Sequence, residues 1–333
     1  MILKTVKNYF KDENHIILVL PLFLIALYSA FFYLGIIRNY LVEFSLAFFI
    51  FVYYLLIKLQ YGAIAFCIMA LWVVFRMSFC KTDYSIKTLN EETLKNTVIE
   101  PIPKIIIQTG KTQNPPKYRG FIDLIKTKNP DYKYLFFDDQ DIETFLKDNY
   151  SEYWKTYERL PILIQKIDFF RYIAVYHYGG IYLDLDMKVL KPFDDQLLNN
   201  NTVFPVDEYL TKPLHRWKRY RPFCKRNCYF LLGQYAFAAN KKNPFIKTLI
   251  DNIHMRIEQI VKEHTDLGLN KSKKNGSHRN QEMELYVYKT TGPDYVTQCF
   301  MDYYNKQEIF ILDNGNRQML GNYAKHMYMG SWK

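Results

Sequence analysis

Ile164-Gln165-Lys166-Ile167-Asp168-Phe169-Phe170-Arg171-Tyr172-Ile173-Ala174-Val175-Tyr176-His177-Tyr178, then Gly179-Gly180, then Ile181-Tyr182-Leu183-Asp184-Leu185-Asp186, is the stretch that decides the fold. Ile164, Ile167, Phe170, Ile173, Ala174 and His177 recur at helical spacing, which predicts a helix from Pro161 to Tyr178. Gln165, Asp168 and Arg171 fall three apart along one stripe of it. Gly179-Gly180 ends the helix where a left-handed residue is easiest for glycine. A hydrophobic strand follows at once and closes on Asp-x-Asp. In an extended chain side chains alternate, so Asp184 and Asp186 are expected on one face, with Leu183 and Leu185 turned into the core. Two carboxylates so placed suit one hard cation, Mg²⁺ or Mn²⁺, with positions left for phosphate oxygens. The simpler readings are a strand end with two solvated acids and an i,i+3 ion pair between Asp168 and Arg171.

Working outward, Ile102-Pro103-Lys104-Ile105-Ile106-Ile107-Gln108-Thr109 is a short β-branched run, opened by proline, and reads as a first, buried parallel strand. Lys117 to Lys128 reads as a helix broken at Asn129-Pro130, and Tyr132 to Phe137 as a second strand ending in Asp138-Asp139. Helical turns follow near Glu143–Phe145 and Tyr153–Tyr157. Strand alternating with helix predicts an α/β fold with binding loops at the strand ends.

The first eighty residues differ in kind. Ile16 to Ile37 is apolar and uncharged, about 33 Å long as a helix and enough to cross a bilayer. Leu41–Ile57 and Gly62–Phe79 are two further, shorter apolar runs. The expected organisation is therefore a membrane anchor of two or three helices over 1–80, a polar linker over 81–97 and a catalytic body over 98–333. Lys4, Lys7 and Lys11 place the N-terminus in the cytoplasm. Three spans then put the body in the lumen, and two leave it in the cytosol. Sequons at Asn149, Asn200, Asn270 and Asn275 are compatible with a lumenal body. The net charge of +11 suits anionic partners such as nucleotide phosphates or a membrane surface, while no nucleic-acid-binding motif accompanies it. Five cysteines are too few for a disulfide scaffold, and Cys224 and Cys228 have no matching Cys/His pair downstream for zinc.

These motifs resemble those of glycosyltransferase family 32, which holds fungal initiating mannosyltransferases and inositol-phosphoceramide mannosyltransferases. The resemblance is carried by Ile102–Thr109, by Asn129-Pro130-Asp131-Tyr132 with Asp138-Asp139, and by the Gln165–Pro192 block. Weaker echoes lie at Gly233–Pro244, at Thr291-Gly292-Pro293, and at His326 with Gly330-Ser331-Trp332. It implies a GT-A fold, one nucleotide-binding α/β domain with Asp-x-Asp at its centre, a nucleotide-sugar donor, a Mn²⁺ or Mg²⁺ ion and retention of anomeric configuration. Carried over, Asp186 ligates the metal and Asp184 reaches the ribose, the donor sugar or a metal-bound water. Asp168 holds donor-sugar hydroxyls and Arg171 contacts sugar or diphosphate. Ile107, Gln108 and Thr109, with Gly180 and Tyr182, line the nucleotide site. His326 joins the metal, and Ser331 and Trp332 close over the diphosphate. GDP-mannose is the expected donor, with UDP-galactose and UDP-N-acetylglucosamine as alternatives, and a glycolipid or glycan the acceptor, in the Golgi or ER.

The chain departs from the family pattern at Ile107 and Gly110 of the first strand and at Gln234, where relatives often carry asparagine. The basic stretch His215–Arg226 reads either as a solvated loop or as a membrane-facing arm that docks anionic lipid or a phosphorylated acceptor. Two readings of other classes compete. One is a haloacid-dehalogenase-type phosphatase with Asp184 as nucleophile, against which stand the Gly-Gly before the strand and Met187-Lys188 after it. The other is a membrane protein that binds nucleotide sugar without catalysis.

Overall fold

The computed structural model of the chain describes residues 100–113, 115–210, 214, 217–269 and 277–329. Their elements belong to one compact unit, Thr82–Leu210 with Lys218–Lys333; of the other, Met1–Lys81 with Thr211–Trp217, only residues 214 and 217 are described. The membrane helices expected over 1–80 and the linker over 81–97 lie outside the described residues. Among those described, no helix is long and apolar enough to cross a membrane.

Strand β1 (Ile105–Thr109) starts only after Pro103, which has no N–H to offer a ladder. A 3₁₀ turn at Pro116–Tyr118 leads into α1 (Arg119–Lys128), and β2 (Lys133–Phe137) follows. Asp138 then caps α2 (Asp139–Asn149): its carboxylate accepts from the backbone N–H groups of Gln140 and Asp141. Next come α3 (Ser151–Arg159) and the long α4 (Leu163–Tyr178), which ends on Gly179 at φ 69°. Strand β3 (Gly180–Leu183) leads to β4 (Met187–Val189), α5 (Asp195–Leu198) and β5 (Thr202–Tyr209). After α6 (Arg221–Cys224) come β6 (Phe230–Leu232), β7 (Ala236–Ala239), α7 (Pro244–Met255) and α8 (Ile257–Asp266). The chain then forms α9 (Ser277–Thr290), α10 (Pro293–Asp302), β8 (Ile309–Leu312), β9 (Met319–Leu320) and β10 (Ala324–His326).

The main sheet has the order β2-β1-β3-β7-β5-β6, with β8 beside β5. Strand β1 is parallel to β2 and β3, as the alternation of strand and helix predicts. Strand β7 is antiparallel to both β3 and β5, so the sheet is mixed and β5 runs in the direction of β3. A small antiparallel sheet, β4-β10-β9, hangs off the turn after β3.

Period-two alternation divides the core. Ile106, Ile181, Leu183, Ala236 and Ala238 face one side, with Ile125 of α1 and Val189, Leu320 and Ala324 of the small sheet. Tyr182 and Phe237 face the other, where Phe237 packs on Tyr172 of α4 and stacks on Phe204, which meets Phe245 of α7 edge-on. Gly180 sits at φ 103°, and a Cβ there would lie 2.4 Å from the Ile105 carbonyl oxygen. The absence of a side chain lets β3 close against β1 and fixes where β3 begins.

Candidate active site

The Asp-x-Asp lies in a turn, not in an extended strand. Ladder pairing with β7 ends at Leu183; the Asp184 N–H bonds the Tyr235 carbonyl at 2.7 Å, and the Met187 N–H returns to the Asp184 carbonyl at 3.1 Å. Leu183 is in the core as expected, but Leu185 is only half-buried, because the turn rotates it away from the sheet. The carboxylates converge nonetheless. Asp184, Asp186 and His326 offer ligand atoms that all lie within 4.8 Å of one another. His326 reaches the turn because β10 pairs with β4, setting His326 opposite Met187. Its Nε2 is 3.1 Å from Asp186 Oδ1, while Oδ2 accepts from the Met329 N–H at 2.8 Å. The Tyr235 ring stacks on the imidazole, with centroids 4.8 Å apart.

The Gln165–Asp168–Arg171 stripe of α4 points into the interior. Gln165 donates to Thr290 at 2.7 Å. Asp168 is fully buried: Oδ1 accepts from Gln234 at 3.1 Å and lies 3.2 Å from Arg171, while Oδ2 accepts from Thr291 at 2.7 Å. Arg171 is more than an intrahelical partner, because its Nη1 also lies 3.3 Å from Asp184 Oδ1 and donates to the Gln234 carbonyl at 3.1 Å. Its guanidinium covers the Tyr182 ring, 4.6 Å from the centroid. The helix is thereby tied to the first aspartate of the motif.

Burial is the main influence on these acids. It raises Asp168 to about 6 against the opposing pull of Arg171, and raises Asp184 against the same guanidinium. For Asp186 burial works upward, but His326 and the Met329 N–H outweigh it and hold the carboxyl below its ordinary range. His326 is raised: burial opposes its charge, and Asp186 and Asp184 overcome it. The two acids of the motif are therefore inequivalent, one held by a buried guanidinium and the other by an imidazole.

The residues expected to line a nucleotide site are all buried beneath the Asp184 turn. Ile107 is wholly buried. Gln108 donates to the carbonyls of Leu183 and Asp184 at 3.3 and 3.1 Å and accepts from Tyr134 at 2.7 Å. Thr109 and Tyr182 share a hydrogen bond of 3.1 Å, and the Tyr182 hydroxyl donates to Asp184 Oδ1 at 2.9 Å. Gly180 holds the strand junction. What these contacts do is orient Asp184 from β1 and β3. Ser331 and Trp332 lie outside the described residues. Gln234 and Thr291 complete the Asp168 network. Sequence spacing gives no sign of either partnership, because they stand 66 and 123 residues away along the chain.

Two cations of the basic stretch are committed within the fold, while Arg221 and Lys225 are exposed. Arg219 forms a forked pair with Asp294, its Nε 2.9 Å from Oδ2 and its Nη2 2.6 Å from Oδ1, and Arg226 pairs with Asp302 at 2.7 Å. Neither is the free cation of a solvated loop or a lipid-docking arm. His215 and Arg216 lie outside the described residues. Cys224 and Cys228 are free thiols.

A mixed α/β sheet thus gathers Asp-x-Asp, a histidine and the buried Asp–Arg pair of α4 at the carboxyl ends of its parallel strands, where open α/β sheets take their ligands. Residues 115–204 match the family described as glycosyltransferase sugar-binding region containing DXD motif. The chain is 29% identical over 173 residues to inositol phosphoceramide mannosyltransferase 1 of Schizosaccharomyces pombe, covering 51% of this chain and 48% of that protein. It is 32% identical to mannosyl phosphorylinositol ceramide synthase SUR1 of Saccharomyces cerevisiae, over 37% of this chain and 35% of that protein. It is 34% identical to the initiation-specific alpha-1,6-mannosyltransferase of Candida albicans, over 31% and 29%. The matches thus span about half or less of these relatives. The PaToxG glycosyltransferase structure is matched with a TM-score of 0.41 at 18% identity, over 65% of this chain and 74% of that one. Over residues 115–204 the chain is thus similar to this DXD glycosyltransferase family.

Proposed function

We propose that the chain is a metal-dependent, retaining mannosyltransferase that moves mannose from GDP-mannose to a glycolipid or glycan acceptor at a membrane. The observation that carries the reading is the convergence of Asp184, Asp186 and His326 within 4.8 Å, with Arg171 on Asp184. Two carboxylates and an imidazole fit one divalent cation, and the nitrogen favours Mn²⁺ over the oxygen-seeking Mg²⁺. When bound, such a cation neutralises charge developing on the leaving diphosphate.

The chain's own residues do the rest. Arg171, itself held by buried Asp168, fixes Asp184 at the border of the interior, so that electrostatic stabilisation needs little reorganisation. Gln108 fixes the carbonyls that end β3, and Thr109, at the end of β1, marks the edge where the nucleoside lies. Asp184, its Oδ1 already taken by Arg171 and Tyr182, keeps its other oxygen for the cation, beside the ribose and donor sugar. Asp168, whose two oxygens are engaged by Gln234, Arg171 and Thr291, sets the floor beneath the sugar. The family resemblance supports front-face attack, with the leaving phosphate taking the acceptor proton. The glycolipid acceptor rests on the relatives' printed activities, membrane attachment on the apolar runs of residues 1–80, and Golgi or ER placement on the family resemblance.

The test is donor cleavage by the full chain with Mn²⁺, offering GDP-mannose, UDP-galactose and UDP-N-acetylglucosamine separately. GDP-mannose is expected to be cleaved only with metal present, and Asp186→Asn to lose about 100-fold or more of the rate. Cleavage of none of the three donors, or an unaffected Asp186→Asn variant, refutes the reading.

A further inference from the structure

Asp207 is a carboxylate that the site's network leaves out. It sits near the end of β5, where the ladder to β6 shifts between Val206 and Glu208. A bulge of this kind gives one strand an extra residue and re-aims its side chain, and bulges recur beside active sites. Because β7 is antiparallel to both neighbours, β5 and β3 point the same way. Asp207 and the Asp184–Asp186 turn therefore emerge at the same edge of the sheet.

The neighbours of Asp207 are already engaged. Glu208 accepts from Tyr220 at 2.8 Å and pairs with Arg317 at 3.4 Å, and Asp294 takes Arg219. Asp207 itself is half-buried and has no hydrogen-bond partner among the described residues. Its charge acts on His326, Tyr235 and Tyr328, the group that stacks beside the acidic turn. Burial and the adjacent Glu208 raise it to about 7, with Arg219 and His326 pulling the other way. A half-buried carboxylate without a protein donor is left to water, which a ligand hydroxyl can displace.

The sheet order says which ligand. Strand β1, the nucleoside side under the proposed function, lies to one side of β3, and β7 and β5 lie to the other. The second substrate therefore enters on the β5 side. There the half-exposed Tyr328 ring, 4.3 Å from His326 between centroids, offers a face for a sugar ring. We propose that Asp207 binds the acceptor, accepting hydrogen bonds from hydroxyls of a pyranose or inositol ring and holding that ring beside the donor.

The assignment rests on the proposed function, and the experiment separates the two. The full chain is assayed with Mn²⁺ and GDP-mannose for cleavage by water alone, and for transfer to methyl α-mannoside and to inositol phosphoceramide. Asp207→Asn and Asp207→Ala are expected to leave cleavage by water within about twofold. Transfer kcat/KM should fall about tenfold or more through a higher acceptor KM, the size of one hydrogen bond to a charged group. Asp207→Glu is expected to recover part of that loss. Unchanged transfer in Asn and Ala variants that melt like the wild type overturns the assignment. So does a parallel loss of cleavage by water, which would put Asp207 on the donor side. A wild-type chain that cleaves no donor overturns the functional reading, and this assignment with it.

Discussion

Arg171→Met removes the one guanidinium shared by Asp168 and Asp184. The wild-type side chain is 3% exposed and Asp168 0%, with contacts of 3.2 Å to Asp168 and 3.3 Å to Asp184. Removing one member of a buried pair leaves an uncompensated charge and costs about 3–5 kcal/mol. The Gln234 carbonyl, which accepts from Arg171 at 3.1 Å, is abandoned as well. That loss overlaps the first and does not simply add to it, because the groups share one network. The expected destabilisation is therefore about 3–5 kcal/mol at pH 7.5. Its pH dependence has a definite sign. Burial already raises Asp168 to about 6 and raises Asp184, and losing the guanidinium raises both further. An acid raised in the folded state contributes stability below its unfolded value and loses it as pH climbs through the folded value. Arg171→Met extends that loss to higher pH, so the penalty at pH 5.5 should be smaller than at pH 7.5 by about 1–2 kcal/mol. Urea unfolding of both full chains at the two pH values measures it. A penalty under about 1 kcal/mol, or one equal at both pH values, refutes the reasoning.

Other outcomes follow from single contacts. Gly180→Ala puts a Cβ 2.4 Å from the Ile105 carbonyl oxygen at φ 103°, so it should destabilise by about 2 kcal/mol or more in thermal melts, where an open glycine such as Gly120 should not. Metal binding should strengthen as pH rises. His326 is raised by Asp186 and Asp184 and must release its proton to ligate, so Mn²⁺ affinity should climb about tenfold per pH unit until the imidazole is neutral, then level off; calorimetry from about pH 6 to 8.5 reads it. Gln234→Ala removes the donor to Asp168 Oδ1 and the acceptor of the Tyr172 hydroxyl, and should lower the melting temperature while leaving Mn²⁺ affinity within about twofold.

Local spacing carried much of this site. The three-residue stripe of α4 marked Asp168 and Arg171 as pointing one way, and the glycine pair marked where helix turns into strand. Asp-x-Asp announced its chemistry but not its geometry: alternation predicted an extended pair, whereas the backbone bends after Leu183 and brings Asp186 round to His326. The histidine was legible only through the family resemblance, since 140 residues separate it from Asp186 and the pairing of β10 with β4 joins them. Gln234 and Thr291 were likewise marked only through that resemblance, without their partner Asp168, and Asp207 was not marked at all. Their significance arises from sheet order and from a bulge, neither of which leaves a periodic trace. Arg219 and Arg226 show the converse, reading as free cations in a basic run although Asp294 and Asp302 neutralise them from a distant helix.

Asp184, Asp186 and His326 act together only if they hold one divalent cation between them. Calorimetric titration of Mn²⁺ into the full chain at pH 7.5, beside the Asp186→Asn and His326→Ala variants, tests this directly. One equivalent bound by the wild type, and affinity lowered about tenfold or more in each variant, is the predicted result. Equal binding by all three chains, or none by the wild type, contradicts it.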